Sequence, residues 1–229
     1  MIKFSERVLA VALGGALLLP ALDSTGALDE PMRPLLEGVE FLVAEHGSTG
    51  VPSDPRTVAD RSLAIRTREL IRRSGGPGDS LPAIEELIPQ VSLARDAAMR
   101  QGVPVSLVLA VIHSESRFEE AAVSPMGAIG LMQVQPATAR AVAKQEGLPS
   151  PHRAELMDSR VNIEIGVALL KNLHEQYGSW ERALAVYNAG PAAMASEDVR
   201  VAVGAYVRRV ERQAQFLTVR PPAHTPAEA

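Results

Sequence analysis

The sequence predicts a mainly α-helical domain that carries one small irregular or β-like lobe and follows a helical N-terminal segment. Three observations point there. From residue 83 onward almost every stretch places apolar residues at helical spacing. The exception is residues 119–135, where Ser124-Pro125, Gly127 and Gly130 impose turns. No segment repeats at a period of roughly 20–50 residues, so the helices are not stacked copies of one unit.

Taken in order, residues 1–27 read as an address. Lys3 and Arg7 flank the start of an apolar run from Val8 to Leu19, and a small-residue stretch ends at Ala27. This is the layout of a secretory signal with cleavage after Ala27. The run is about 12 residues, short of the ~20 a helix needs to cross a bilayer; an uncleaved membrane anchor is the alternative. Lys3 and Arg7 cancel Glu6 and Asp23, so the remainder keeps the charge of -4. No later segment approaches a membrane span, and the mature chain is expected to be exported.

Residues 28–82 are expected to form a helical N-terminal segment ending in a Gly/Pro linker. Leu35 to Val43 is acidic and amphipathic. Asp54 is placed to cap the next helix, with Pro55 at its first position. Arg56, Arg61, Arg66, Arg68, Arg72 and Arg73 follow, but the interleaved Asp60 and Glu69 make a solvated helix face the expected outcome rather than a polyanion site. Gly75-Gly76-Pro77-Gly78-Asp79 breaks any helix.

Residues 83–220 are the expected main domain, with 221–229 as a disordered tail. Val91 to Gln101 reads as a helix closed by Gly102. Pro104 opens the next, whose Leu107, Val108, Ala110, Val111 and Ile112 are apolar almost all round and so predicted to be buried. After the irregular lobe, Pro136 restarts a helix through Lys144. Asp158 caps a long one reaching Tyr177, with Gly178 beyond it. Ser179 caps a shorter one from Trp180 to about Asn188, stopped by Gly190-Pro191. Val199, Val203, Tyr206, Val207 and Val210 mark a last helix.

Composition narrows the chemistry. At 46% hydrophobic and 22% charged residues the chain has the balance of an ordinary globular protein. There are no cysteines, which excludes disulfides, thiol nucleophiles and thiolate metal sites. With 23 basic against 27 acidic residues, a general nucleic-acid binder is not expected. Composition suggests neither a metal nor an organic cofactor.

The buried helix ends in His113-Ser114-Glu115-Ser116. A carboxyl at the close of an apolar helix is partly desolvated, which disfavours its charged form and suits it to act as a general acid near neutral pH. A surface glutamate at a fraying helix end is the plain alternative. His113 falls on another face and has no partner at the four-residue offset of a zinc motif, so it reads as structural.

Three separated stretches then agree: Glu115-Ser116, Gly130-Leu131-Met132-Gln133 and Tyr187-Asn188-Ala189-Gly190. In this order they resemble the signatures of the soluble lytic transglycosylase family, lysozyme-like enzymes that cleave peptidoglycan. The resemblance covers roughly residues 90–215. It implies a lysozyme-like α+β catalytic domain in which Glu115 is the catalytic acid and base. Ser124 matches the serine that contacts the sugar N-acetyl region, and Met132 and Gln133 match cleft-lining residues. Tyr187 matches a tyrosine held close to the glutamate, with Asn188 beside it; Tyr206 matches a second cleft tyrosine. Gln135 departs from the methionine that many relatives carry there. Asn162 and Gly166 also match and read as helix packing. The glycines at 127 and 130 are expected to let backbone N–H groups approach a ligand, or simply to serve turn geometry.

Glycosidases ordinarily need two carboxylates, and the motif supplies one. The resemblance implies that the glutamate protonates the glycosidic oxygen and then takes the proton of the muramoyl C6 hydroxyl, closing a 1,6-anhydro ring. Glu119 and Glu120 are expected in solvent without a role. A lysozyme-type muramidase that uses water, and a catalytically idle peptidoglycan-binding component of an envelope machine, are the rival readings. The implied partner is the peptidoglycan glycan strand, and the implied place is the periplasm or cell envelope. Residues 28–82 are either a docking arm for an envelope or secretion-machine protein or a helical pair packed on the catalytic domain.

Overall fold

The computed structural model describes residues 54–75, 80–191 and 197–218, without the side chains of 197–202. The expected signal, the acidic stretch 35–43, most of the glycine linker and the tail 221–229 lie outside the described residues. The chain divides into two compact units, 1–62 and 63–229. Of the first, only the opening of one helix is described.

That helix, α1 (Pro55–Ser74), starts as expected. Asp54 accepts from the backbone N–H of Arg56 at 3.3 Å and of Thr57 at 3.1 Å, two of the donors a helix start leaves unpaired. In the second unit its Ala64, Leu70 and Ile71 enter the main core alongside Leu87 and Val91. The arginine face is not merely solvated. Arg66 donates to the Phe216 carbonyl at 2.6 Å and Arg68 to that of Pro82 at 2.9 Å, while the Arg73 guanidinium lies 4.7 Å from the centre of the Phe216 ring. Arg72 and Arg73 follow the expected pattern, pairing with Glu69 at 2.7 Å.

Helix α2 (Ile84–Gln101) begins seven residues before the expected Val91 and carries Pro89 inside it. A proline deprives the Glu85 carbonyl of its helical donor; both residues are exposed, so water can take that place. Glu86 accepts from the Ala83 N–H at 3.0 Å and fixes the start. Gly102, at φ +69°, closes the helix. Helix α3 (Val105–Ser116) then runs through the interior, with every residue from Leu107 to His113 buried. It stops because Arg117 and Phe118 both adopt left-handed backbone, φ +55° and +68°. Phe118 is buried and anchors that turn in the core.

The lobe that follows is irregular, as expected. Two isolated antiparallel bridges, Val123 with Ile129 and Ile129 with Val134, are its β content. Helices α4 (Pro136–Glu146), α5 (Ser159–Tyr177), α6 (Trp180–Ala189) and α7 (Glu197–Thr218) complete the unit, with a 3-10 turn at Glu155–Met157. Asp158 and Ser179 cap α5 and α6 with their side chains, as predicted. The last helix extends well beyond the expected Val199–Val210. Helix α5 packs against α2, α4 and α6, and α3 is held between α2 and α7. The fold is mainly helical, and its packing places the end of α3 between the lobe, α6 and α7.

Candidate active site

Glu115 stands on the last turn of α3, partly buried. Burial pushes its carboxyl above the usual value of 4.5, and two influences oppose this: a hydrogen bond from Tyr206 and the charge of Arg209. The Tyr206 hydroxyl donates to Glu115 Oε1 at 2.6 Å, the short length of a charge-assisted bond. The helix end is not frayed, since Arg117 donates its N–H to the His113 carbonyl at 3.1 Å.

Glu115, Ser124, Gln133, Tyr187 and Asn188 line one cavity of about 220 Å³, together with Met126 and Gln135. Two expected cleft residues are placed differently. Met132 is fully buried: its side chain packs on Gly166, where a Cβ would come within 2.5 Å of the Met132 sulfur. Tyr206 is 5% exposed and stands behind Glu115 rather than on the cavity wall. Tyr187 faces the cavity, but its hydroxyl donates to the Met132 carbonyl at 2.7 Å and not to Glu115. Burial, and then the charge of Glu115, raise both tyrosine hydroxyls well above their usual value, so they are donors at any physiological pH.

The lobe presents its polar groups in a fixed pattern. Ser124 Oγ accepts from the Ala128 N–H at 3.0 Å, which leaves the hydroxyl proton to donate outward. Gln133 has φ +49°, and its amide nitrogen donates to the carbonyls of Ala122 at 3.1 Å and Gly130 at 2.9 Å. The Gly127 and Gly130 N–H groups are occupied by the Ser124 and Ala122 carbonyls, so turn geometry, not ligand approach, accounts for these glycines. Glu119 is exposed; Glu120 accepts from Gln90 at 3.1 Å and Ser159 at 2.7 Å.

Asn162, expected as helix packing, organises the lobe. Its Oδ1 accepts from the Met132 N–H at 2.8 Å, and its Nδ2 donates to the carbonyls of Ile129 at 2.8 Å and Leu156 at 2.9 Å. It is wholly buried. The available signal was its place within the apolar run of α5, since a buried amide must find partners. Gly130 lies beneath it, and a Cβ there would sit 2.6 Å from the Leu156 carbonyl oxygen.

His113 is buried, and its Nε2 lies 2.8 Å from Ser74 Oγ. Because that hydroxyl donates to the Leu70 carbonyl at 2.7 Å, the imidazole is the donor of the pair. Burial holds its pKa below the usual value. Ser114, next to it, donates to Gln213 at 2.7 Å and ties α3 to α7. A larger hollow of about 530 Å³ is lined by residues of α6 and α7, among them Glu181, Arg182, Arg208 and Glu211, and holds none of the groups gathered around Glu115.

Residues 92–202 match the family model described as the Transglycosylase SLT domain. The soluble lytic murein transglycosylase of Escherichia coli K12 is 38% identical over 93 residues, which is 39% of this chain and 14% of that protein. The membrane-bound lytic murein transglycosylase C of Histophilus somni strain 2336 is 44% identical over 87 residues, 37% of this chain and 24% of the relative. The match thus spans a quarter or less of each relative's length. A solved structure of an inactive mutant of lytic transglycosylase Slt from Pseudomonas aeruginosa aligns with a TM-score of 0.48 at 25% identity, over 83% of this chain and 36% of that one. Residues 92–202 of this chain are therefore a transglycosylase SLT domain.

Proposed function

We propose that the chain is an exported lytic transglycosylase that cleaves the β-1,4 bond between N-acetylmuramic acid and N-acetylglucosamine in peptidoglycan. The names of these two relatives, both lytic murein transglycosylases, support the substrate class. The observation that carries the reaction is Glu115. Among the described residues lining its cavity it is the one carboxyl, partly buried and hydrogen-bonded by Tyr206.

In this reading the protonated Glu115 gives its proton to the glycosidic oxygen as the C1–O4 bond breaks. The resulting carboxylate takes the proton of the muramoyl C6 hydroxyl as the C1–O6 bond forms. One proton leaves the carboxyl and one returns, and no water is consumed. Attack from within the same sugar supplies a high effective concentration, worth ~7–11 kcal/mol of barrier in model reactions. Tyr206 stabilises the carboxylate that appears midway. The free hydroxyl proton of Ser124 suits an N-acetyl carbonyl, while Asn188 offers its amide and Gln133, its N–H groups engaged, its side-chain oxygen to the polar edges of the sugars. Tyr187, fixed by Met132, presents a ring wall. No helix among the described residues is long and apolar enough to cross a membrane, and the periplasm or cell envelope is the proposed place of action.

The test is the product profile on purified peptidoglycan. Muropeptides one water lighter than hydrolytic products, absent with Glu115→Gln, are the expected result. Hydrolytic ends would assign a muramidase, and no cleavage at all by the unaltered chain would favour an idle wall-binding component.

A further inference from the structure

Tyr206 does not hold Glu115 by itself. One turn further along α7, the exposed Arg209 places its guanidinium 5.3 Å from the centre of the Tyr206 ring, whose hydroxyl reaches Glu115 Oε1 at 2.6 Å. A cation at that distance is attracted to the negative face of the ring. The three groups therefore form a line running from solvent through a buried ring to the carboxyl.

We propose that Arg209 is a positioning residue for Glu115: seated on the Tyr206 ring, it fixes the direction from which the hydroxyl meets the carboxylate and places a positive charge behind it. This rests on the role given to Glu115 above.

The surroundings leave Arg209 as the cation suited to this task. From α6 the nearest titratable group is Tyr187, neutral and bonded to Met132. The lobe contributes Ser124, Gln133 and Gln135, which are polar but uncharged. On α2, Arg95 pairs with Asp96 at 3.2 Å. On α3 itself His113 is turned to Ser74, and the charge of Arg117 bears on His113. Arg209 is the charged side chain that opposes the effect of burial on Glu115, and its charge likewise bears on Tyr206. A carboxyl that must give up a proton and then take one back works best when neither form is strongly favoured. Burial shifts it toward the acid form; the line from Arg209 supplies the counterweight.

The test uses the full chain with Arg209→Ala, Arg209→Gln and Arg209→Lys, and reads two quantities. The first is the titration of the Glu115 carboxyl followed by NMR, which does not depend on turnover. The midpoint is expected to move to higher pH in Arg209→Ala and Arg209→Gln, with Arg209→Lys lying near the unaltered protein and the Tyr206 ring resonances shifting in parallel. The second is the pH dependence of peptidoglycan cleavage: kcat falls about two- to fivefold in the neutral variants, the magnitude of an exposed cation–π contact, while KM is unchanged. The alkaline limb of activity follows the carboxyl upward. An unmoved Glu115 midpoint in both neutral variants overturns the proposal, and so does a loss expressed in KM alone. If the unaltered chain cleaves no peptidoglycan, the functional reading fails while the titration still decides the role of Arg209. Arg209→Gln keeps the comparison open should Arg209→Ala not fold.

Discussion

Replacing Asn162 with alanine tests whether the lobe beside Glu115 is held from below. The substitution removes three buried hydrogen bonds at once. The Ile129 carbonyl keeps a second donor, the Val134 N–H at 3.0 Å. The Met132 N–H and the Leu156 carbonyl lose the partners that Asn162 supplies, and an unsatisfied buried group costs about 1–3 kcal/mol. Two such groups, eased by local rearrangement, give a loss of about 3–5 kcal/mol, a large share of the 5–15 kcal/mol over which domains are typically stable. For a chain of this size the melting temperature should fall by roughly 6–20 °C. Asn162→Leu, which fills the volume without the bonds, should lose nearly as much, because polar satisfaction rather than packing is at stake. Calorimetry and urea unfolding measure both. Activity should drop as well, since Ser124 and Gln133 sit on the backbone that Asn162 secures. A loss under about 1 kcal/mol in Asn162→Ala, or full stability in Asn162→Leu, would mean that the lobe does not depend on the Asn162 hydrogen bonds.

Other outcomes follow from the same geometry. Tyr206→Phe removes a hydrogen bond to a charged group, worth about 1.5–3 kcal/mol, and steady-state kinetics should show kcat about ten- to hundredfold lower with the alkaline limb moved to higher pH. Glu115→Gln should be more stable than the unaltered chain at neutral pH. The raised carboxyl contributes stability that is complete below its ordinary value of 4.5 and lost as pH rises through its folded-state value, so the advantage should vanish in thermal melts below that pH. Gly166→Ala forces a methyl group to within 2.5 Å of the Met132 sulfur; chemical unfolding should register the ~1–3 kcal/mol typical of overpacking.

What could be read from the sequence was what is decided locally. The caps Asp54, Asp158 and Ser179 and the stops at Gly102 and Gly178 act within a turn of their own position, and the helix ends they predict are observed. The burial of α3 followed from a run of apolar residues too continuous to leave a wet face. The start of α2 did not follow, because a proline signals a boundary unless its neighbours are known to face water. Met132 shows the second limit. Membership of the Gly130–Gln133 stretch says that the segment borders the cavity, not which side chain turns inward; that choice is made by Gly166 and Asn162, about 30 residues later. Tyr206 was expected as a second cleft tyrosine, but its place behind the carboxyl depends on how α7 crosses α3. The arginines of α1 are a third case. Glu69 accounts for two of them, but the carbonyls that Arg66 and Arg68 reach belong to segments with no local sign of the pairing.

In the proposed reaction one carboxyl serves as acid and then base while the substrate supplies its own nucleophile. Digestion of peptidoglycan in water enriched in oxygen-18 separates this route from hydrolysis. Cleavage by this chain should yield muramoyl ends that carry no label, whereas ends that gain one labelled oxygen per bond broken would mean that water, not the C6 hydroxyl, is the nucleophile.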